Sequence, residues 1–307
     1  MSLIINCHHH MPIADEPIGI DATDIFPHEL TLKVFSYLSL ANLGKSCLVS
    51  KKWHLLASDH ILWKYAIYKE LAFGDDKWRQ FLGKDVIKDE KHREDFVSLP
   101  VNEIIKDYRR FKSIFPEKNV KDGLMLIRLP KTLNGQLTLK SLGELAKRYF
   151  PNTKTGYGYL NIHMDKLGDK SINQSCWVLM TQDALPGSKG VNNTKQNEIM
   201  ADPTETLIGF ELPGTLEATT CILAQYFGFK IRLFSNKPRT YIHCKDIVKG
   251  FQVIHEDKQV FTIGGYQVAV GNFHENGLCI DIFDALKNEV IGIAALKSYA
   301  IKGAILP

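Results

Sequence analysis

The chain has 307 residues, of which 45% are hydrophobic and 23% charged, and its formal net charge is +4. These are ordinary globular values that allow a sizeable core, and the length suggests two domains or one large domain with an appendage. The chain is mildly basic but lacks the concentrated basic stripe of a nucleic-acid-binding protein. It contains no run of 18 apolar residues, so no membrane span is predicted.

The six cysteines are scattered along the chain without a C-x-x-C pair, so they do not indicate a disulfide scaffold. A reducing compartment is therefore expected. Residues 1–22 show little periodicity and hold His8, His9 and His10 beside Cys7. With no further cluster at metal-ligand spacing, this segment is interpreted as a flexible, solvated leader. It lacks the charged and apolar regions of a secretory signal peptide.

Residues 23–72 show the apolar spacing of several short helices. Asp24 suits a capping position, Pro27 suits a first turn, and Ser58 or Asp59 can cap the last helix. A short break is expected at Ser39 to Asn42. The apolar positions are Leu30, Val34, Phe35 and Leu38 in the first segment, Leu43, Cys47 and Leu48 in the second, Trp53, Leu56 and Ala57 in the third, and Leu62, Trp63, Ala66, Ile67 and Leu71 in the fourth.

A helical linker is predicted over residues 73–120. Residues 84–95 mix charges of both signs, as a solvated loop or exposed helix does. Ser98 and Pro100 then signal the start of an amphipathic helix that runs to Phe115 and ends before Pro116.

From residue 121 the pattern changes to that of a mixed α+β domain extending to residue 307. Helices are predicted at Leu139–Phe150 and Thr215–Phe227, the second beginning after Pro213-Gly214, and a polar loop is predicted at 192–203. A hairpin turn is predicted at Gly264-Gly265. Strands are predicted at Leu124–Leu129, Cys176–Met180, Ile231–Phe234, Tyr241–Cys244, Phe251–Ile254, Val260–Ile263, Tyr266–Val270, Leu278–Ile282 and Val290–Ala294.

The helical segment resembles an F-box over about Ile25 to Lys69. The matching residues are Phe26-Pro27-His28-Glu29-Leu30, the block Val49-Ser50-Lys51-Lys52-Trp53 and the closing pair Leu62-Trp63, with Phe26 where leucine is usual. The resemblance implies a module that docks onto a Skp1-like protein and, through it, onto a cullin-type ubiquitin ligase. By position, the residues expected to contact or support that partner are Pro27, Leu30, Leu38, Leu43, Val49 and Trp53.

The region after Leu124 is similar to the C-terminal part of F-box effector proteins of bacteria that live inside amoebae. The similar stretches are residues 141–145, 176–181 and 213–218. This resemblance implies a protein-binding domain that recruits an unidentified target, in a cytoplasmic protein that acts in the host cytosol if a bacterium exports it. Neither a WD40 signature nor a leucine-rich repeat is present.

The C-terminal region also contains residue types that an enzyme would use. Cys176, Cys221, His243, His274 and Asp281 are the residue types of a ubiquitin-directed cysteine protease, but both cysteines lie in apolar runs typical of core thiols. A metal site from His243, Cys244 and His274 is disfavoured because neighbours on a strand point to opposite faces. The glycine-containing segments 156–158 and 186–190 do not match a phosphate-binding loop and are interpreted as turns. We therefore expect no catalytic residue, metal or cofactor.

Overall fold

The computed structural model describes residues 22–87, 99–118, 120–160, 167–201, 207–249, 252–255, 258–261, 265–283 and 288–299. Helices make up the N-terminal part, and mixed β-sheets dominate the C-terminal part, as the sequence predicts. The histidine run of the leader and residues 88–95 of the charged stretch lie outside the described residues.

The first helices are short, and polar side chains cap them. Ser39, Ser50 and Asp59 each accept a hydrogen bond from a backbone N–H two or three residues further on, at 3.2, 3.2 and 2.7 Å. Asp59 is thus the cap where Ser58 was the alternative. The helices are α1 Ala22–Ile25, α2 His28–Phe35, α3 Leu40–Ser46, α4 Lys51–Ala57, α5 His60–Glu70, α6 Asp75–Leu82, α7 Val101–Ile114, α8 Val120–Gly123, α9 Leu139–Ala146, α10 Asn193–Met200 and α11 Thr215–Phe229, with a 3-10 turn at Lys84–Val86.

The described strands form two main sheets and a separate hairpin. They are β1 Ala72–Phe73, β2 Leu124–Leu129, β3 Tyr159–Leu160, β4 Cys176–Thr181, β5 Tyr241–Lys249, β6 Gln252–His255, β7 Lys258–Phe261, β8 Gly265–His274, β9 Gly277–Phe283, β10 Ile291–Ile293 and β11 Leu296–Tyr299. One sheet has the order β1-β2-β4-β11, the other has the order β10-β5-β8-β9-β3, and β6 pairs with β7.

The four-stranded sheet lies between two hydrophobic cores. Successive residues of its central strands alternate between the cores, as the two-residue period of a strand requires. Met125 and Val178 face a core that also contains α11 and the five-stranded sheet. Leu126 and Leu179 face a second core, which contains the N-terminal helices and α7. Both faces of this sheet are therefore buried, which explains why β2 reads as a nearly continuous apolar run.

The N-terminal helices are joined to the sheet by direct contacts. One residue after α5, β1 pairs in parallel with β2. The ring of Tyr68 on α5 packs edge-to-face on Trp177 of β4, with centroids 6.2 Å apart. The Asp75 carboxylate pairs with the Arg128 guanidinium at 3.0 Å, and both side chains are buried. The helical part and the C-terminal part thus share a core and have a fixed orientation.

Two predicted elements are wrong. Residues 192–203 were predicted as a loop, but Asn193–Met200 is a helix, because the side chain of Asn192 caps it and Gln196 is buried against the five-stranded sheet. Ile231–Phe234 was predicted as a strand but is irregular. Lys230 and Phe234 both adopt positive φ angles, 59° and 48°, which interrupt an extended conformation on either side.

Among the described residues, β7 pairs with β6, whereas β8 pairs with β5 and β9. The hairpin turn predicted at Gly264-Gly265 falls partly outside the described residues, because Gly264 lies outside them, as do Ser98, Phe251 and Ile263.

Within the part of the chain that the structure describes, none of the helices has both the length and the apolar character needed to cross a membrane.

Candidate functional site

Helix α2 carries two apolar stripes. Thr31 and Phe35, four residues apart, are buried on the core side, and the ring of Phe35 lies 5.1 Å from that of Trp53. Leu30 and Val34, also four residues apart, remain 49% and 58% exposed. Because positions four apart share a helix face, α2 presents a second apolar surface that its own core does not cover.

Helix α5 repeats this arrangement. Leu62, Trp63 and Ala66 are buried, and the Trp63 indole N–H donates to the carbonyl of Ala57 at 2.8 Å. Trp63 is therefore a core residue of the N-terminal helices. Ile61 and Tyr65, on another side of the same helix, are exposed.

The turn between α3 and α4 exposes two further apolar side chains, Leu48 and Val49. Its backbone is held in place by polar contacts. The Ser50 hydroxyl caps α4, and a ring nitrogen of His54 lies 3.1 Å from the carbonyl oxygen of Cys47. The exposed side chains therefore stand on a fixed turn.

Exposed apolar side chains are concentrated in this part of the molecule. Of the fifteen large apolar side chains that are exposed among the described residues, ten lie in residues 25–65. We name these ten the exposed apolar set: Ile25, Phe26, Leu30, Val34, Tyr37, Leu48, Val49, Leu55, Ile61 and Tyr65. Such a density of uncovered apolar surface is typical of a protein-interaction site.

The six residues that the sequence singled out fall into three groups. Pro27, Leu30 and Val49 are exposed, so a partner can reach them. Leu38 and Trp53 are half-buried and pack against the second core. Leu43 is only 1% exposed, so in the free protein it is placed to support the site from beneath.

The remaining eight members of the exposed apolar set were not among the predicted contacts. The sequence feature that indicates them is a second set of apolar residues on each helix, outside the face that packs on the core. Phe26, Leu30 and Val34 repeat every four residues beside the buried pair of α2, and Ile61 and Tyr65 do so on α5. When a helix has two apolar stripes, its own core covers one of them, and the other is available to a partner.

Residues 24–67 match the family model described as F-box-like. The chain carries an F-box-like domain. The match runs from the end of α1 into α5 and contains all ten members of the exposed apolar set. No curated protein and no solved structure matches the chain.

The cysteines considered for hydrolase chemistry lie outside the F-box-like domain. Cys221 on α11 is fully buried in the core, and burial raises the pKa of its thiol well above the usual range. Cys176 is partly buried against the same core, and burial raises the pKa of its thiol to about 11. Both thiols are therefore protonated at neutral pH.

His243 and Cys244 point to opposite faces of β5, as the strand period predicts. Cys244 lies in the core with α11, whereas the His243 ring contacts Gln196 of α10, with Nδ1 2.7 Å from Oε1. Gln196 donates its Nε2–H to the carbonyls of Ser188 and Ile291, so its oxygen is the acceptor and His243 Nδ1 carries a proton. Burial lowers the pKa of His243 to about 4, so the ring is neutral.

One cysteine and one histidine do meet, and sequence reasoning had not paired them. Cys279 Sγ on β9 lies 3.4 Å from His274 Nε2 at the end of β8, and the Asn272 amide lies 3.7 Å from the same sulfur. The backbone N–H of Asn276 donates to His274 Nδ1 at 3.2 Å, which leaves Nε2 as the protonated nitrogen. The ring thus donates to the sulfur, whereas a general base must accept the thiol proton.

The burial of Cys279 agrees with that assignment. Its side chain is 1% exposed, and burial raises the pKa of the thiol above its usual value. A nucleophilic cysteine needs access and a lowered thiol pKa, so the contact with His274 is structural.

No group of three or more metal-ligating side chains occurs within the described residues. Neither glycine-containing segment is helical or a strand. Gly156 (φ 82°) lies in a bend, where a Cβ would clash with the backbone carbonyl of Gly143. Gly187 (φ 72°) lies in a turn closed by a hydrogen bond from Ser188 N–H to the Leu185 carbonyl.

Proposed function

We propose that this chain is an adaptor that binds a Skp1-like protein through its F-box-like domain and, with residues 121–307, holds a target protein at a cullin-type ubiquitin ligase. The family match over residues 24–67 supports the Skp1-binding part. The recruitment of a target protein and the connection to a cullin are further parts of the proposal.

The observation that carries the proposal is the exposed apolar set within the matched residues. Keeping ten large apolar side chains in water forgoes the roughly 1.5–3 kcal/mol that full burial of each would contribute. A partner that covers even half of this surface recovers several kcal/mol on binding. The F-box resemblance implies that Skp1 helices provide this cover.

The fixed orientation of the F-box-like domain gives the adaptor its mechanical role. Strand β1 continues directly from α5 into the four-stranded sheet, and Tyr68 packs on Trp177 across the junction. A target held by the C-terminal part is therefore held at a set distance from Skp1. Adaptors contribute to ubiquitin transfer by proximity, and a rigid connection maximises the effective concentration of the target at the ligase.

Skp1 and cullins are eukaryotic proteins, so the proposal locates this chain in the cytosol of a eukaryotic cell. Because the C-terminal region resembles that of bacterial effectors, the proposal includes export of this chain by a bacterium into the cytosol of its host.

Co-elution of the full chain with purified Skp1 in size-exclusion chromatography tests the proposal. The wild type is expected to co-elute, and a Leu30→Asp/Val49→Asp double variant is expected not to, because each carboxylate would be buried under the partner. Ile208→Asp is the control: Ile208 is an equally exposed apolar residue outside residues 24–67. If the wild type does not co-elute, or if the double variant co-elutes as well as the wild type, the proposal is wrong.

A further inference from the structure

A basic and aromatic surface lies at the end of α11, far along the chain from the F-box-like domain. Residues 145–164 and 218–245 contain eight lysines and arginines but no aspartate or glutamate. The two segments meet where the Tyr149 ring stacks on Phe227 at 4.4 Å and Phe150 stacks on Tyr226 at 5.2 Å. Lys147 and Lys245 are ion-paired with glutamates just outside these segments, whereas Lys230 and Arg232 lie beside the aromatic cluster that the segments form.

The cations of this surface lie over the aromatic rings. Lys230 Nζ is 4.4 Å from the ring centroid of Tyr149 and 5.2 Å from that of Tyr226, and the Arg232 guanidinium is 5.6 Å from that of Tyr226. Neither cation has an acidic partner among the described residues. Two exposed apolar side chains, Phe229 and Ile231, alternate with them. We call Tyr149, Tyr226, Phe229, Lys230, Ile231 and Arg232 the basic–aromatic surface.

The backbone at Lys230 supports a role for this side chain. Lys230 is the C-cap of α11 in the left-handed conformation, with φ 59° and ψ 22°. Glycine is the usual residue there, since a side chain is disfavoured in this conformation. A lysine at this position costs stability that glycine would not cost, and it holds a charged amine at the centre of the surface.

We infer that the basic–aromatic surface is the docking site for the target protein and that it binds an acidic segment with interspersed apolar side chains. Lys230 and Arg232 would pair with the carboxylates of this segment, and Phe229 and Ile231 would pack against its apolar side chains. This inference rests on the proposed adaptor function, to which it adds the location of the target and its chemistry.

The aromatic rings favour a peptide over a nucleic acid as the occupant. Single-stranded nucleic acids bind by stacking bases on open aromatic faces. Here the faces of Tyr149 and Tyr226 are covered by Lys230, Arg232 and the neighbouring rings. What remains accessible is charge flanked by aliphatic and aromatic side chains.

Fluorescence anisotropy with a labelled peptide of alternating glutamate and leucine, on the full chain, tests the inference. The wild type is expected to bind this probe roughly tenfold more tightly than a peptide with glutamine in place of glutamate. Lys230→Glu/Arg232→Glu should abolish that preference. Lys106→Glu/Lys131→Glu makes the same change in net charge at exposed lysines elsewhere and should preserve it.

A second variant separates binding from folding. Lys230→Gly removes the charge but relieves the left-handed strain, so it should melt no lower than the wild type while binding the acidic probe more weakly. Loss of stability with unchanged probe binding would overturn the inference and assign Lys230 to helix capping alone.

Competition identifies the occupant. Oligouridylate or phosphatidylserine vesicles that bind more tightly than the acidic peptide and displace it would overturn the inference, as would equal binding of the glutamate and glutamine peptides. Skp1 co-elution is measured on the same variants and should be unchanged by Lys230→Glu/Arg232→Glu. If Skp1 binding fails while probe binding stands, the adaptor proposal is wrong and the acidic-peptide site remains.

Discussion

The exposed stripe of α2 allows the affinity for Skp1 to be tested quantitatively. Leu30 and Val34 are 49% and 58% exposed, so about half of each side chain remains for a partner to bury. Full burial of such a side chain contributes roughly 1.5–3 kcal/mol, and half of this for two residues is about 1.5–3 kcal/mol in total. Leu30→Ala/Val34→Ala should therefore weaken Skp1 binding by about 10- to 150-fold.

Isothermal titration calorimetry of Skp1 into each variant measures this change. The matched control is Ile208→Ala/Ile247→Ala, because these residues are 49% and 57% exposed and lie outside the F-box-like domain. The control should bind Skp1 like the wild type. The α2 double variant should lose little thermal stability, since alanine is a good helix former and both replaced side chains are about half exposed. A loss of less than about threefold, or an equal loss in the control, would refute the reasoning.

Three further predictions concern stability. Asp75→Ala leaves the buried Arg128 guanidinium without its carboxylate and should lower the free energy of unfolding by about 3–5 kcal/mol, measured by urea denaturation. Leu43→Ala should cost about 2–5 kcal/mol, because Leu43 is buried, and Skp1 affinity measured below the melting transition should fall less than in the α2 double variant. His243 has a folded-state pKa of about 4, below its ordinary value of about 6.5, so the unfolded chain binds the extra proton first as the pH falls. The wild type should therefore lose about 2 kcal/mol more than His243→Gln between pH 7 and pH 5, and identical pH profiles would contradict this.

Local sequence patterns predicted much of the fold. The sequence predicts the bounds of β2, because five of its six residues are apolar, as suits a strand buried on both faces. Helix α11 begins where Pro213-Gly214 indicated, and α7 ends before Pro116. These features depend on residues that are neighbours in sequence.

Where prediction failed, contacts from distant residues decided the structure. The polar segment 192–203 has no apolar stripe, yet α10 forms because Gln196 bonds to Ser188, Ile291 and His243. The strand-like run from Ile231 to Phe234 is irregular because left-handed residues flank it. Neither outcome is visible in a local period.

The candidate site divides in the same way. The F-box-like domain was recognised from its motif, and two of the residues predicted to contact or support the partner, Leu30 and Val49, are exposed in the structure. Leu43 is buried, unlike these two residues. Helix periodicity alone does not distinguish a residue that supports a site from one that touches the partner.

The sequence by itself therefore determined most of the helices and strands and the F-box-like domain, because each depends on the spacing of nearby residues. Only the tertiary structure decided which apolar side chains remain uncovered, that Cys279 meets His274, and that Lys230 and Arg232 stand over the rings of Tyr149 and Tyr226. The physical reason is that burial and side-chain contact depend on residues that the fold brings together from far apart in the chain, whereas the spacing of neighbours records only which face of an element each residue occupies.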